Sequence, residues 1–280
     1  MALLAALVTV VLWASSFVGI RAAGEDLSPG ALSLARIGLG SLILGGFVLA
    51  RHERLPAHGD LPLLLVIGVC WFGLYNLALN EAERRIDAGT AAMLVNVGPI
   101  LIAVLAGVLL GEGFPRALLA GCAVAFGGVI AIGFATSERS VSAGWGTVLC
   151  LLAAAAYAIA VVAQKPLLSR VPALSLTWLA CTIGALVCVP FAPTLVDELG
   201  DARPSSIAWV VYLGVFPTSI GFMTWAYALS RTSAGRMGAT TYLVPPIAIL
   251  IAWGLLDETP PLLALAGGAL CLIGVVIARR

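Results

Sequence analysis

Residues 65–130 of this chain return at 211–276. Laid over each other without a gap, at an offset of 146, the two stretches agree at 18 of 66 positions. Matches of Ala, Leu or Gly mean little in so apolar a sequence, so the rarer ones carry the weight. Pro99 meets Pro245, Glu112 meets Glu258, Pro115 meets Pro261, and Arg85 meets Arg231. Gly68-Val69 returns as Gly214-Val215, and Leu119-Ala120-Gly121 as Leu265-Ala266-Gly267. Nearer the N-terminus, Ala31-Leu32-Ser33-Leu34 returns as Ala173-Leu174-Ser175-Leu176 at an offset of 142, so one short loop insertion separates the two registers. The chain reads as a tandem duplication with copies over 1–137 and 143–280.

What each copy contains follows from hydropathy. Only 10% of the residues are charged, 61% are hydrophobic, and the mean hydropathy is +1.08. A soluble domain keeps roughly a quarter of its residues charged to cover a surface that faces water. Here most of the surface must face lipid. A bilayer core about 30 Å thick takes about 20 apolar residues per helical crossing. Apolar runs bounded by charge, Pro and Gly predict crossings over 2–22, 29–50, 62–82, 88–110, 115–135, 143–165, 173–193, 206–229, 236–256 and 260–279. Their length and the demand that each segment satisfy its own backbone in lipid make them helices. Lys and Arg are absent before Arg21, so the first run lacks the basic start of a signal peptide and reads as a retained helix. The expected fold is an all-α membrane protein, one transmembrane domain over 1–280 with ten transmembrane helices as two five-helix repeats.

Five is odd, and that decides the geometry. The second copy must enter the membrane from the opposite side, so the repeats are inverted. Inverted repeats give two near-equivalent arrangements, one open to each side, which is the structural logic of alternating access. Basic residues then orient the chain. With the N-terminus inside, nine fall on the inner side (Arg51, Arg54, Arg116, Lys165, Arg170, Arg231, Arg236, Arg279, Arg280) and five outside (Arg21, Arg84, Arg85, Arg139, Arg203). Both termini are expected in the cytoplasm, in a multi-pass protein of the inner (plasma) membrane.

Other classes of function fare worse. A net charge of +1 gives no footprint for nucleic acid. The cysteines (Cys70, Cys122, Cys150, Cys181, Cys188, Cys271) all lie in apolar runs without a C-x-x-C pair, which reads as small apolar filler. No metal or other cofactor is expected. His52 and His58 share one loop, and no carboxylate pair lies inside a crossing, so the convergent chemistry of a membrane enzyme is missing. A channel-like permease is the alternative, though neither a continuous polar lining nor a set of symmetric subunits is visible. The expected partners are a small-molecule substrate and membrane lipid, with the monomer as the working unit.

The fourth crossing and its tail read Ala88-Gly89-Thr90-Ala91-Ala92-Met93-Leu94, Pro99, Glu112, Gly121 and Gly127-Gly128. The second copy offers Ala234-Gly235, Pro245, Glu258, Gly267 and Gly274, and the first helix carries Trp13-Ala14-Ser15-Ser16-Phe17. This pattern resembles the EamA type of the drug/metabolite transporter superfamily over essentially the whole chain. The resemblance implies ten helices in two repeats and transport of small organic metabolites. Within that superfamily it is nearest to the YddG-type amino-acid exporters, which implies amino acids as solutes; amines and nucleotide-linked sugars are the alternatives. One departure stands out. Trp13 and Phe17 meet Ala155 and Ile159 in the second copy, which is therefore less aromatic there.

Certain residues then become candidates for the work. Pro99 and Pro245 sit within their crossings, where each removes a helix hydrogen bond and kinks the helix. Interrupted helices at matching places in two repeats point to a transporter's central site. Three residues earlier stand the repeat mates Asn96 and Tyr242, polar groups at bilayer depth that must find a partner, either the solute or a neighbouring helix. In the third crossing Trp71 and Tyr75, and beside them Asn76 and Asn80, are spaced to share helical stripes. Tyr75 and Asn76 are read as lining a cavity, Trp71 as an interfacial anchor and Asn80 as helix glue. The resemblance adds Trp13, Phe17, Tyr157 and Trp225 on helices that line the cavity. Arg36, inside the second crossing, is either a clamp for a substrate carboxylate or a side chain that snorkels outward. Glu112 and Glu258, at the ends of their crossings, are read as paired gate or cap elements.

Overall fold

The structure is a computed structural model and describes residues 1–85, 94–136, 144–256 and 261–280. Among these residues every regular element is helical. Seven helical runs are long and apolar enough to cross a membrane, and Gly98–Leu109 and Leu262–Ala278 are shorter apolar helices. With Val244–Leu256, they account for the ten crossings in the expected order. The outward faces are apolar, as at Leu42, Phe134 and Leu262, which suits a chain whose solvent is lipid.

The first span is Ala2–Ala23 and the second Pro29–Arg51. Span three begins as Leu61–Ile67, widens into a π-helix over Gly68–Tyr75, and resumes as Asn76–Glu83. Span eight repeats that design: Pro204–Leu213, a π-helix over Gly214–Gly221, then Phe222–Leu229. The two π segments are repeat mates from first residue to last, at the offset of 146. A π turn shifts the backbone ladder from i−4 to i−5, and polar side chains tend the displaced carbonyls. Asn76 Nδ2 donates to Trp71 O and Phe72 O, both at 3.0 Å. Ser219 Oγ donates to Gly214 O at 2.8 Å. Pro217, inside the second π segment, has no N–H to place in either ladder.

Spans four and nine are broken at matching places. The described helix of span four is Gly98–Leu109, and Asn96 and Val97 before it form a turn. Span nine runs as Ala234–Thr240, a 3₁₀ turn Thr241–Leu243, and Val244–Leu256. Spans five, six and ten are Arg116–Thr136, Trp145–Leu167 and Leu262–Ala278. Span seven exceeds its expected end at residue 193. Ala173–Cys188 passes through a 3₁₀ turn, Val189–Phe191, into Ala192–Asp201. Asp197, Glu198 and Asp201 end the apolar run but not the helix. The extension is amphipathic, and its Leu195 and Leu199 pack on a cluster of Leu27, Leu32, Val210 and Leu213.

The helices pack into two compact units, and neither coincides with a repeat. Unit one is Met1–Leu77 with Ala163–Arg231; unit two is Ala78–Val162 with Thr232–Arg280. Each unit takes segments from both copies. In unit one, span two lies on span seven, joined by Ser41 and Thr182 hydroxyls at 2.7 Å and by Cys181 Sγ donating to Ile37 O at 3.2 Å. Three ion pairs tie its loops: Arg170 to Asp60 at 2.7 Å, Arg203 to Asp26 at 2.9 Å, and Arg203 to Glu25. In unit two, spans five and ten cross backbone to backbone. A Cβ on Gly121 would stand 2.4 Å from Ala278 N, one on Gly274 2.4 Å from Ala125 N, and one on Gly128 2.4 Å from Gly267 O. Only hydrogen fits there, the way small residues bring membrane helices together.

Candidate functional site

The candidate residues fall into two groups, one inside each unit. In unit one the aromatic side chains of spans one, three and eight form a single cluster. Trp13 stacks on Trp225 at 5.0 Å between centroids, and Trp71 meets both edge-on, at 5.9 Å and 5.5 Å. Phe222 joins Trp13 at 5.2 Å, Trp71 at 5.0 Å and Phe72 at 4.4 Å. Offset and T-shaped contacts of this kind suit the ring quadrupoles. Trp225 is fully buried, and its Nε1 donates to Gln164 Oε1 at 3.0 Å. Trp13 is half-buried; its Nε1 is enclosed and has no hydrogen-bond partner among the described residues. Phe17, a turn further on, is half-buried and outside the cluster.

Trp71 is 2% exposed at the centre of this cluster, so it is not the interfacial anchor expected from the sequence. The rings of Trp13, Phe222 and Trp225 cover it, within the π segment of span three. A π turn changes which backbone groups pair, from i−4 to i−5. The Asn76 side chain spans that change, reaching both Trp71 O and Phe72 O. Tyr75 is half-buried at the end of the same segment. Asn76 is buried with its amide hydrogens spent on its own helix. Arg36 does not snorkel: it is 7% exposed, in the span that packs on span seven.

In unit two the candidates gather at the breaks of spans four and nine. Pro99 and Pro245 are both buried and sit in the first turn of a new helix instead of bending a continuous one. A first-turn proline loses no helix bond, because that N–H would have no intrahelical partner anyway. Asn96 stands in the turn of span four, half-buried. The Tyr157 ring of span six lies against that break, its Cδ1 2.8 Å from where a Cβ on Gly98 would stand. Tyr242 occupies the 3₁₀ turn of span nine beside Cys122, Cys271 and Tyr157. It is 0% exposed, and its hydroxyl has no hydrogen-bond partner among the described residues. An orphaned buried hydroxyl is costly, which keeps Tyr242 among the candidates for solute contact.

Glu112 acts as a cap. Its carboxylate accepts from Ala234 N at 2.7 Å and Gly235 N at 3.1 Å, closing the start of span nine. Gly111 and Gly113 on either side, with φ of +67° and +69°, turn the chain so that it can reach. Its repeat mate Glu258 lies outside the described residues. Sequence reasoning missed Gln164, Phe222, Ser219 and both π segments. Gln164 was within reach, as an amide in an apolar run; a π segment has no hydropathy signature.

Comparison with known proteins places this geometry. The model of the EamA-like transporter family matches residues 1–134 and again 144–280. A protein of Streptantibioticus cattleyicolor described as a "Probable terminal-alkyne amino-acid exporter" is 36% identical over 277 residues, covering 99% of this chain and 92% of that one. A "Probable amino-acid metabolite efflux pump" of Salmonella typhimurium is 25% identical, over 97% and 92% of the two chains. A solved crystal structure at 21% identity superimposes with a TM-score of 0.83, covering 99% of this chain and 96% of that one. That likeness extends to the whole fold.

Proposed function

Because the chain belongs to the EamA-like transporter family, and is a membrane transporter, we propose that it exports amino acids by alternating access. The inner membrane is the site of action, and both termini are cytoplasmic. The names of its relatives favour amino acids, one being described as an exporter of terminal-alkyne amino acids and another as an efflux pump for amino-acid metabolites. The observation that carries the mechanism is the paired interruption of spans four and nine at the repeat mates Asn96 and Tyr242. Broken helices at corresponding places in inverted repeats mark the central site of such carriers.

In this reading Asn96 and Tyr242 bind the solute, and the turns before Pro99 and Pro245 flex as access changes sides. Tyr157 supplies an aromatic wall beside the break. Within unit one, taken by itself, Trp13, Phe17, Tyr75 and Trp225 are the aromatic candidates and Arg36 the candidate clamp for a carboxylate. Asn76 has its side-chain oxygen to offer, its donors being engaged. Glu112 and Glu258 are the paired gate or cap elements. Arg36 is the one ionisable residue deep in a predicted span, so a carboxylate proton relay is lacking and the solute gradient drives flux.

Saturation kinetics in proteoliposomes test this, with labelled amino acids, amines and nucleotide-linked sugars as solutes. Amino acids should give saturable flux and counterflow. Tyr242→Phe should raise the half-saturating concentration roughly 2- to 10-fold, the value of one neutral hydrogen bond, without lowering thermal stability. Flux that rises linearly with solute would make the protein a channel. Unchanged kinetics in Tyr242→Phe would remove that residue from the site.

A further inference from the structure

Unit two gathers four arginines at one corner. Arg279 ends span ten, and its Nη1 donates to Thr240 Oγ1 of span nine at 3.0 Å. Thr240 Oγ1 in turn donates to Arg236 O at 2.9 Å, and Arg236 Nη2 reaches Arg280 O at 3.2 Å. Arg116 opens span five, and the approach of Gly121 to Ala278 N brings that opening beside the close of span ten. Three helix ends thus bring four arginine positions to one corner, with the Arg236 and Arg279 side chains the pair joined there through Thr240.

Like charges so placed repel, and Arg279 registers it: burial first, then the neighbouring Arg236, lower its proton affinity. Among the described residues none of the four is ion-paired. The acid close by, Glu112, has its carboxylate taken up by Ala234 N and Gly235 N. A soluble protein would leave such a cluster to water and salt. Here it sits where span ten meets the membrane boundary. The face of span ten running away from it, through Val276, Ile273 and Leu272, is more than half exposed and wholly apolar.

We propose that these arginines bind the phosphate of an anionic phospholipid, with the outer face of span ten as the bed for its acyl chain. Guanidinium forks match phosphate oxygens in pairs, and basic pockets between membrane helices are a recurrent form of lipid headgroup site. The asymmetry of the cluster supports a built site over general basic bias. Thr240 holds one arginine in place, and the exposed apolar stripe begins at the same helix end.

Native mass spectrometry of the purified full chain is the test, with phosphatidylglycerol and phosphatidylcholine added in turn. The parent should retain phosphatidylglycerol at least about tenfold more strongly. The double variant Arg236→Gln/Arg279→Gln should lose that preference, while Arg51→Gln/Arg54→Gln, a basic pair in unit one, keeps it. Equal losses in the two double variants would mean diffuse surface charge and overturn the proposal, as would equal retention of the two lipids. Displacement of the lipid by millimolar inorganic phosphate would make this a free-anion site and overturn it too. If the first double variant does not survive purification, Arg280→Gln at an exposed position should still lower retention; no change there counts against the site. Transport plays no part in the readout, so the result stands apart from the solute assignment.

Discussion

Tyr242 and Asn76 were alike on paper, polar residues at bilayer depth, and the structure gives them opposite circumstances. The Tyr242 hydroxyl is enclosed without a partner among the described residues, whereas Asn76 donates twice to its own backbone. Their variants should therefore part company. Asn76→Ala strands two buried carbonyls and should cost about 1–3 kcal/mol, read as a lower thermal midpoint in detergent. Tyr242→Phe should leave that midpoint unmoved. Asp26 offers a pH test outside the spans. Arg203 above all, then Ser206, hold its carboxyl well below the usual carboxylate range. A depressed folded value means the stabilisation is complete above the unfolded range and disappears as the pH falls through the folded one. The midpoint difference between parent and Asp26→Asn should thus be constant from neutral pH to about 4 and shrink below it. The site was half legible for a similar reason. Sequence reveals that a polar group in lipid needs a partner, but not whether its own helix provides it.

At the scale of elements, the glycines of spans five and ten and the Glu112 cap are the exposed points of the design. Gly274→Val would drive a side chain into Ala125 N and should cost more than the 1–3 kcal/mol typical of overpacking (~3 kcal/mol or above), read as loss of monodisperse protein on size exclusion. Gly127→Val has open space beside it and should behave as the parent does. Glu112→Ala leaves two N–H groups uncapped at the start of span nine and should cost about 0.5–2 kcal/mol in thermal stability. Glu112→Gln, which retains an acceptor, should recover part of it. The spans themselves were legible because lipid permits little but apolar helices. Their interior geometry was not. Gly68–Tyr75 is an apolar run with nothing in its hydropathy to set it apart from an α-helix, and the amphipathic end of span seven fell outside the expected crossing because its acids interrupt the hydropathy without interrupting the helix.

Across the whole molecule the repeat determined span number, pairing of spans and inversion, because an odd copy leaves no alternative. Which spans share a unit was beyond it: each unit draws on both copies, and packing partners depend on side chains that meet only after folding. The nine-to-five basic bias predicts that a fluorescent reporter fused after Arg280 will shine and an exported phosphatase fused there will be silent. The reverse pattern would invert the assignment of inside and outside. The paired π segments carry one more consequence. A π turn is a one-residue excess within an α-helix, and the same excess stands at Gly68–Tyr75 and Gly214–Gly221, in identical register. One event before the gene doubled accounts for both; two separate later events would have had to strike the same residue. That places the irregularity in the single copy from which both repeats descend. The distortion is older than the protein that now contains it.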